Sequence, residues 1–274
     1  MTASPLVSTP GLGRLPSDVR RSLRLPVVWW RHRHVERDDV YLAHYPKSGS
    51  TWLRFLLVTL ARPDAQPDFA VVRDLLPPVT NPGRGLVLPD GGRFVHSHEL
   101  PGPRIVRTRR VLYLVRDPRD VCVSYFFHAR RDGWSGGFDR FLRLFLAGEV
   151  GNWGSWAAHA RSGLALGDDR DLVVLRYEDL LADTRTTLAR VAAWLGLPSD
   201  HEQLAPAVEA SSRRRMRAKE HTIVTGGDGP GSFVRGRDDD RWPDLATTAQ
   251  SEAMADTFGR VAARVGYDLG AEGR

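Results

Sequence analysis

The sequence predicts an α/β fold, three layers deep, with a central, mostly parallel sheet flanked by helices. Three observations carry this. Short runs of strand-forming residues at 39–45, 111–115 and 171–177 alternate with helix-period segments. One of them, Val111-Leu112-Tyr113-Leu114-Val115, is apolar throughout, as expected of a strand buried on both faces. The first run leads through a glycine loop into an apolar helix, the unit that builds a P-loop-like phosphate cradle.

Residues 1–38 are rich in Pro, Gly and Arg and read as a loosely ordered arm with one short helix around Ser17 to Leu25. Val27-Val28-Trp29-Trp30, followed by Arg31 and Arg33, can touch a membrane surface or a partner. The favoured expectation is that the Trp pair packs on the domain. Asp39 to Tyr45 ends at Pro46 and reads as a buried strand. Lys47 to Thr51 is a loop. Trp52 to Leu60, apolar nearly all round, reads as a buried helix capped by Ser50 or Thr51.

Residues 63–91 hold many Pro and Gly with little periodicity and are expected to form a long loop, suited to a lid. Gly92 to His96 reads as a second strand. Pro118 opens a helix through about Arg130. Further helices are expected at 138–147 and 153–162. After the strand at 171–177, Thr184 to Leu195 forms an amphipathic helix ended by Gly196 and Pro198. His201 to Ala210 is a short helix, Thr225 to Asp240 a Gly- and Asp-rich loop, and Thr247 to Val265 a final helix. There is no internal repeat and no boundary after residue 38, so 39–274 is expected to be one domain. Ligands of such sheets bind outside the carboxyl ends of the strands. That puts the chemistry at 46–52, 96–98 and 116–124.

Composition narrows the class. The chain has 274 residues, 42% hydrophobic and 26% charged, enough for a sizeable core and unlike a disordered chain. A net charge of +6, carried mostly by arginine, suits an anionic partner: nucleic acid, a membrane surface or a phosphorylated small molecule. The single cysteine, Cys122, excludes an intrachain disulfide and a cysteine metal site; between two valines it reads as a packed thiol. Residues 1–13 lack the pattern of a signal peptide. The most apolar run, Trp52 to Ala61, is interrupted by Arg54 and falls short of the ~20 residues of a membrane span. A soluble, cytoplasmic protein is expected.

The residues that carry chemistry begin at Tyr45-Pro46-Lys47-Ser48-Gly49-Ser50-Thr51-Trp52. Backbone amides around Gly49 can point at an oxyanion because no side chain blocks their approach. The helix N-terminus adds a favourable dipole, Ser50 and Thr51 add hydroxyls, and Lys47 adds a cation. The lysine precedes the only glycine, so this is not the Walker pattern. A second group is Arg116, at a strand end, with Ser124 eight residues on; both can reach one anion. A third, His96-Ser97-His98, falls just past a strand.

These segments resemble the PAPS-dependent sulfotransferases, whose donor is 3′-phosphoadenosine 5′-phosphosulfate (PAPS). The first octet is similar to the family's Y-P-K-S-G-[ST]-T-W loop. The resemblance implies that Lys47 binds the bridging oxygen of the donor and stabilises the departing phosphate. Ser48, Gly49, Ser50 and Thr51 would hold the 5′-phosphate, and Trp52 would stack on adenine. Val115 to Tyr125 resembles the 3′-phosphate site, with Arg116 and Ser124 as its ligands. His98 matches the His of Lys-Thr-His-x-Pro, the general base, and a histidine pKa suits that role near neutral pH. His96 stands where the family has lysine, so only part of that charge would remain.

Arg176-Tyr177-Glu178-Asp179 resembles a Y-E-D segment whose Tyr contacts adenine. Ser211-Ser212-Arg213-Arg214-Arg215-Met216 aligns with T-S-F-x-x-M. There Ser211 would bind nucleotide, and Arg213 either stacks on the base in place of an aromatic or belongs to a solvated basic run. Arg235-Gly236-Arg237 through Trp242 resembles the R-K-G-x-x-G-x-W loop over the 3′-phosphate, with Gly236 in place of lysine, Arg237 a substitute cation, and Asp240 in place of glycine. The family's dimer signature would fall at Pro243 to Glu252; Thr247 and Glu252 match it, Pro243 and Thr248 do not, so the oligomeric state stays open.

The resemblance implies sulfuryl transfer from PAPS to a hydroxyl or amine of a small-molecule, lipid or glycan acceptor, leaving adenosine 3′,5′-bisphosphate (PAP), with no metal and no nucleic-acid partner. Trp134, Trp153 and Trp156 form either an acceptor wall or core. Three alternative readings make different predictions. A nucleotide kinase predicts Gly-Lys-[ST] order, which is absent. A nucleic-acid-binding module predicts a clustered basic face, whereas these arginines are spread and alternate with acids. A family member that only binds nucleotide keeps the loops without the chemistry.

Overall fold

Alternation along the strands decides the layering, because successive side chains point to opposite faces of a sheet. The structure is a computed structural model and describes residues 17–270, apart from Gln66, Pro82, Arg84, Arg104 and residues 225–240. In chain order its elements are α1 (Ser17–Arg31), β1 (Val40–His44), α2 (Ser50–Ala61), α3 (Phe69–Leu75), β2 (Phe94–Ser97), β3 (Arg110–Val115), α4 (Pro118–Arg131), α5 (Phe138–Leu146), α6 (Trp156–Leu164), β4 (Asp171–Arg176), α7 (Tyr177–Ala182), α8 (Thr184–Trp194), α9 (His201–Ala210), α10 (Arg213–Val224), α11 (Trp242–Leu245) and α12 (Thr248–Arg264).

The strands pair in the order β2-β1-β3-β4, all parallel. Tyr41, Ala43, Val95, Val111, Tyr113 and Val115 pack on one face with residues of α4, α5, α6 and α12. Val40, Leu42, Phe94, Leu112 and Leu114 pack on the other with α2, α3, α8 and α9. Each fully buried Leu or Tyr in these layers contributes about 1.5–3 kcal/mol. Cys122 lies in the first cluster as a buried thiol, its pKa raised by burial.

Three differences from the sequence expectation have physical causes. Neither Ser50 nor Thr51 caps α2; Gly49 does, in the left-handed region (φ 91°), with no side-chain cap, so both hydroxyl residues lie inside the first turn. Within the expected loop at 63–91, the Asp68 carboxylate accepts from the Val71 amide and starts the short helix α3, a signal masked by surrounding prolines. Helix α1 runs on to Arg31 through Pro26, and Trp29 and Trp30 do not pack on the domain: they are 53% and 57% exposed. The expected loop at 225–240 lies outside the described residues. Among the described residues, no helix is long and apolar enough to cross a membrane.

Candidate active site

The four parallel strands deliver their carboxyl ends to one edge of the sheet. His44 leads into the Tyr45–Gly49 loop, Ser97 into His98, Val115 into Arg116, and Arg176 into Tyr177. Residues from four distant parts of the chain meet there.

The loop after β1 is bent by two left-handed residues, Lys47 (φ 69°) and Gly49 (φ 91°). Lys47 is the one non-glycine residue with positive φ among the described residues. Such a backbone can form an anion-binding concavity, with the Ser48 amide itself turned to the Tyr45 carbonyl (3.3 Å). The first turn of α2 has no side-chain cap, since Gly49 supplies none, which leaves its amides available to an anion. Ser48 is buried and its Oγ has no hydrogen-bond partner.

Arg116 crosses to this loop. It donates from Nη1 to the Lys47 carbonyl (3.3 Å) and from Nη2 to Asp120 (3.2 Å), while its guanidinium lies 4.5 Å from the centre of the Tyr177 ring. Its buried Nε has no partner. Ser124, half-buried, lies one turn beyond Asp120 on the same face of α4. The Trp52 ring stands edge-on to Tyr177 at 5.8 Å, and its Nε1 donates to the Ser211 carbonyl (2.9 Å). Ser211 and Ser212 each keep an unpartnered buried Oγ. The structure thus gathers Lys47, Ser48, Gly49, Ser50, Thr51, Trp52, Arg116, Tyr177 and Ser211. Arg213 is placed as the first residue of α10. Arg235, Gly236 and Arg237 lie outside the described residues.

His98 sits where β2 ends. Its Nδ1 lies 3.3 Å from the His44 carbonyl. A carbonyl only accepts, so Nδ1 carries the proton and Nε2 keeps the lone pair. Burial lowers its pKa to about 4, assisted by the charges of Arg54, Lys47 and His128 and opposed by the His44 bond. This departs from the near-neutral value expected: the imidazole is neutral at pH 7, but a weaker base than a solvated one. Trp153 meets His98 edge-on at 5.5 Å, whereas Trp156 is core, donating from Nε1 to the Arg116 carbonyl (3.1 Å).

Several contributors escaped the sequence reading. Arg54 donates to His96 Nε2 at 2.9 Å, placing a cation from α2 beside the position where the resemblance expects lysine. His96 Nδ1 lies 3.4 Å from His44 Nε2, and both imidazoles are held neutral by burial. The interruption of an apolar helix by Arg54 was the visible signal. Glu178 accepts from the Asp117 amide (3.0 Å) and the Tyr267 hydroxyl (2.5 Å), tying β4 to α4 and the C-terminal segment. Asp117 caps α4 and pairs with Arg119 at 2.8 Å. A cleft of about 590 Å³, lined in part by Thr59, Gln203 and Lys219, lies at the far end of α2 and is separate from this site.

A parallel sheet with a glycine loop, an arginine, an aromatic pair and a neutral histidine at its carboxyl edge is the arrangement of an α/β fold that binds an anionic ligand there. The sulfotransferase domain model matches residues 37–266. Sulfotransferase 2B1 of Mus musculus is 28% identical over 243 residues, covering 82% of this chain and 71% of its own. Sulfotransferase 6B1 of Danio rerio is 24% identical, covering 86% and 84%. Among solved structures, mouse sulfotransferase SULT7A1 complexed with PAP superposes with a TM-score of 0.65 at 20% identity, over 88% of this chain and 90% of that one. Retinol dehydratase in a complex with retinol and PAP gives 0.69 at 21% identity, over 88% and 86%. The chain belongs to the sulfotransferase domain family and is a PAPS-dependent sulfotransferase.

Proposed function

We propose that this sulfotransferase binds PAPS across the loop after β1 and uses His98 as its general base. The observation that carries this is a set of orphaned buried donors: Ser48 Oγ and Arg116 Nε at the loop with the two left-handed residues, and Ser211 Oγ on the residue that Trp52 bonds. Buried polar atoms are almost always satisfied, and a phosphate-rich ligand satisfies these. The 5′-phosphosulfate is held by Ser48, through its hydroxyl, and by Gly49, Ser50 and Thr51. Trp52 and Tyr177 bracket the base, while Arg116 and Ser124 hold the 3′-phosphate, joined by Arg235, Gly236 and Arg237.

Like phosphoryl transfer, sulfuryl transfer depends chiefly on positioning and charge stabilisation. The acceptor oxygen attacks sulfur in line, and its proton passes to His98 Nε2. The sulfur–oxygen bond to the phosphate breaks, and its electron pair stays on the phosphate oxygen, where Lys47 and the loop amides stabilise it. The products are the sulfated acceptor and PAP. The charge of Lys47 is among those that lower the His98 pKa, which supports a lysine near the imidazole.

The acceptor belongs to the lipophilic small molecules, supported by Trp153 beside His98 and by the retinol and androsterone of the retinol dehydratase structures. One domain from residue 39 on, preceded by an arm, and a cytoplasmic location suited to a single buried thiol belong to the same proposal.

Calorimetric binding of PAP, adenosine 5′-monophosphate and ATP tests the reading in wild type and Arg116→Ala. Preference for the bisphosphate, reduced about tenfold or more in the variant, is expected for loss of a charged hydrogen bond. Equal affinities, or tightest binding of ATP with magnesium, would overturn it.

A further inference from the structure

We propose that the outer face of α1 docks the protein on an anionic lipid surface. This helix is inverted relative to an ordinary surface helix, whose apolar stripe faces the core. Two of its polar side chains reach inward beside the buried Val28: Arg24 and Arg31 pair with the buried Glu99 at 3.2 and 2.8 Å. His32, just past its end, bonds the buried Tyr41 hydroxyl at 2.9 Å. Its outward side chains are Leu23, Leu25, Val27, Trp29 and Trp30, at 57%, 45%, 48%, 53% and 57% exposure. Taking roughly 150–250 Å² for each large side chain when fully exposed, these five present about 500 Å² of apolar surface. Leu23, Val27 and Trp30 form one row at helical spacing and Leu25 and Trp29 a second, flanking the outer face, and exposed apolar rows rimmed by cations on a soluble protein are commonly a functional contact.

Charge selects the occupant. No Asp or Glu lies between Leu23 and Val35. Arg33 lies over the Trp30 ring at 3.7 Å and Arg107 lies 5.5 Å from the centre of the Trp29 ring. Tryptophan with arginine above it matches the headgroup boundary, where rings meet acyl chains and guanidinium meets phosphate. The overall charge of +6 adds attraction toward an anionic leaflet. A second copy of the chain fits less well. A two-fold contact would set these arginines against their own copies, and the patch is smaller than the about 800 Å² per partner of a stable interface.

The anchors of α1 also fix where the docked face lies. Glu99 follows His98 directly, and Arg24 donates to the carbonyl of Asn152, next to Trp153. On the reading above, the lipid-facing helix adjoins the acceptor side; docking itself does not depend on that reading.

Co-sedimentation of the full chain with phosphatidylcholine vesicles, with and without phosphatidylglycerol, tests the proposal, beside the double variant W29S/W30S. Wild type is expected to partition at least tenfold more onto the anionic vesicles, less so in high salt, with a blue shift of Trp emission. The variant stays in the supernatant while its thermal midpoint and PAP affinity match wild type. Vesicle binding by a protein that ignores PAP would support docking while sinking the nucleotide reading. Equal partitioning of wild type and variant overturns the proposal. So does a wild type that ignores vesicles, whether it sediments as a monomer or as a dimer that the variant dissociates.

Discussion

The Tyr177 ring occupies the space a side chain on Gly49 would need: a Cβ built there falls 2.5 Å from Tyr177 Cε2. Gly49 is also left-handed, a conformation costing other residues on the order of 1–3 kcal/mol. Gly49→Ala must therefore displace Tyr177 or unwind the loop. PAP affinity is expected to fall at least about tenfold, with a lower denaturation midpoint. Calorimetry and urea unfolding of one preparation check both; unchanged affinity would remove this loop from the donor site.

His98→Asn is expected to lower kcat by about 10²–10⁴, the usual contribution of a positioned base, and to leave PAP affinity intact. A protonated imidazole has no lone pair for the acceptor proton. With His98 lowered to about 4, kcat/KM of the free enzyme should hold from neutral pH downward and fail only as pH nears 4. A limb near 6.5 that persists in the variant would assign the titration elsewhere.

Six imidazoles, those of His32, His44, His96, His98, His128 and His159, have pKa values lowered chiefly by burial, His159 to about 3. Unfolded, each titrates near 6.5. Above that value neither state binds the proton and the stability is fully present. Below it the unfolded chain takes up protons the native state refuses, so stability is lost as pH falls toward 4. Each imidazole contributes up to about 1.4 kcal/mol per pH unit in that window. Urea midpoints at pH 7, 6 and 5 should drop steeply; a flat series contradicts the buried neutral cluster.

Arg54, its pKa lowered by burial to about 10, remains cationic at neutral pH. His96→Lys would place a second buried cation against it and is expected to cost about 3 kcal/mol or more, with recovery in the double variant Arg54→Met/His96→Lys. Chemical denaturation of the two variants checks this. A stable single variant would show that the 2.9 Å bond between Arg54 and His96 is dispensable.

Glu178→Gln breaks the acceptor pair that receives the Asp117 amide and the Tyr267 hydroxyl. A loss of about 1–3 kcal/mol in stability is expected, with less effect on PAP binding than Arg116→Ala. Thermal unfolding and calorimetry separate the two effects.

The donor side was legible because it is written locally. Tyr45 to Trp52 is one strand end, one turn and one helix start, and a short segment cannot hide its glycine or lysine. Arg116 and Tyr177 were legible because each follows a strand whose apolar run announces it. The His98 environment was less so: Arg54 showed only as an interruption of an otherwise apolar helix, and His44 acts through its carbonyl, which no side-chain pattern reveals. Helix α1 misled for another reason. The Trp pair was expected to pack on the domain, and nothing in the sequence shows that Arg24 and Arg31 reach Glu99. Helix α3 was hidden by neighbouring prolines, although Asp68 stood at its start.

The double attachment of Arg24 to Glu99 and Asn152 has a kinetic meaning. These contacts close spans of 75 and 128 residues, whereas the loop after β1 forms within a dozen. Long closures lose more chain entropy before any contact compensates, so they form late. The turn at Lys47 and Gly49 should be formed in the folding transition state and α1 added afterwards. Shortening the Arg24 side chain would then hasten unfolding while leaving the refolding rate nearly untouched.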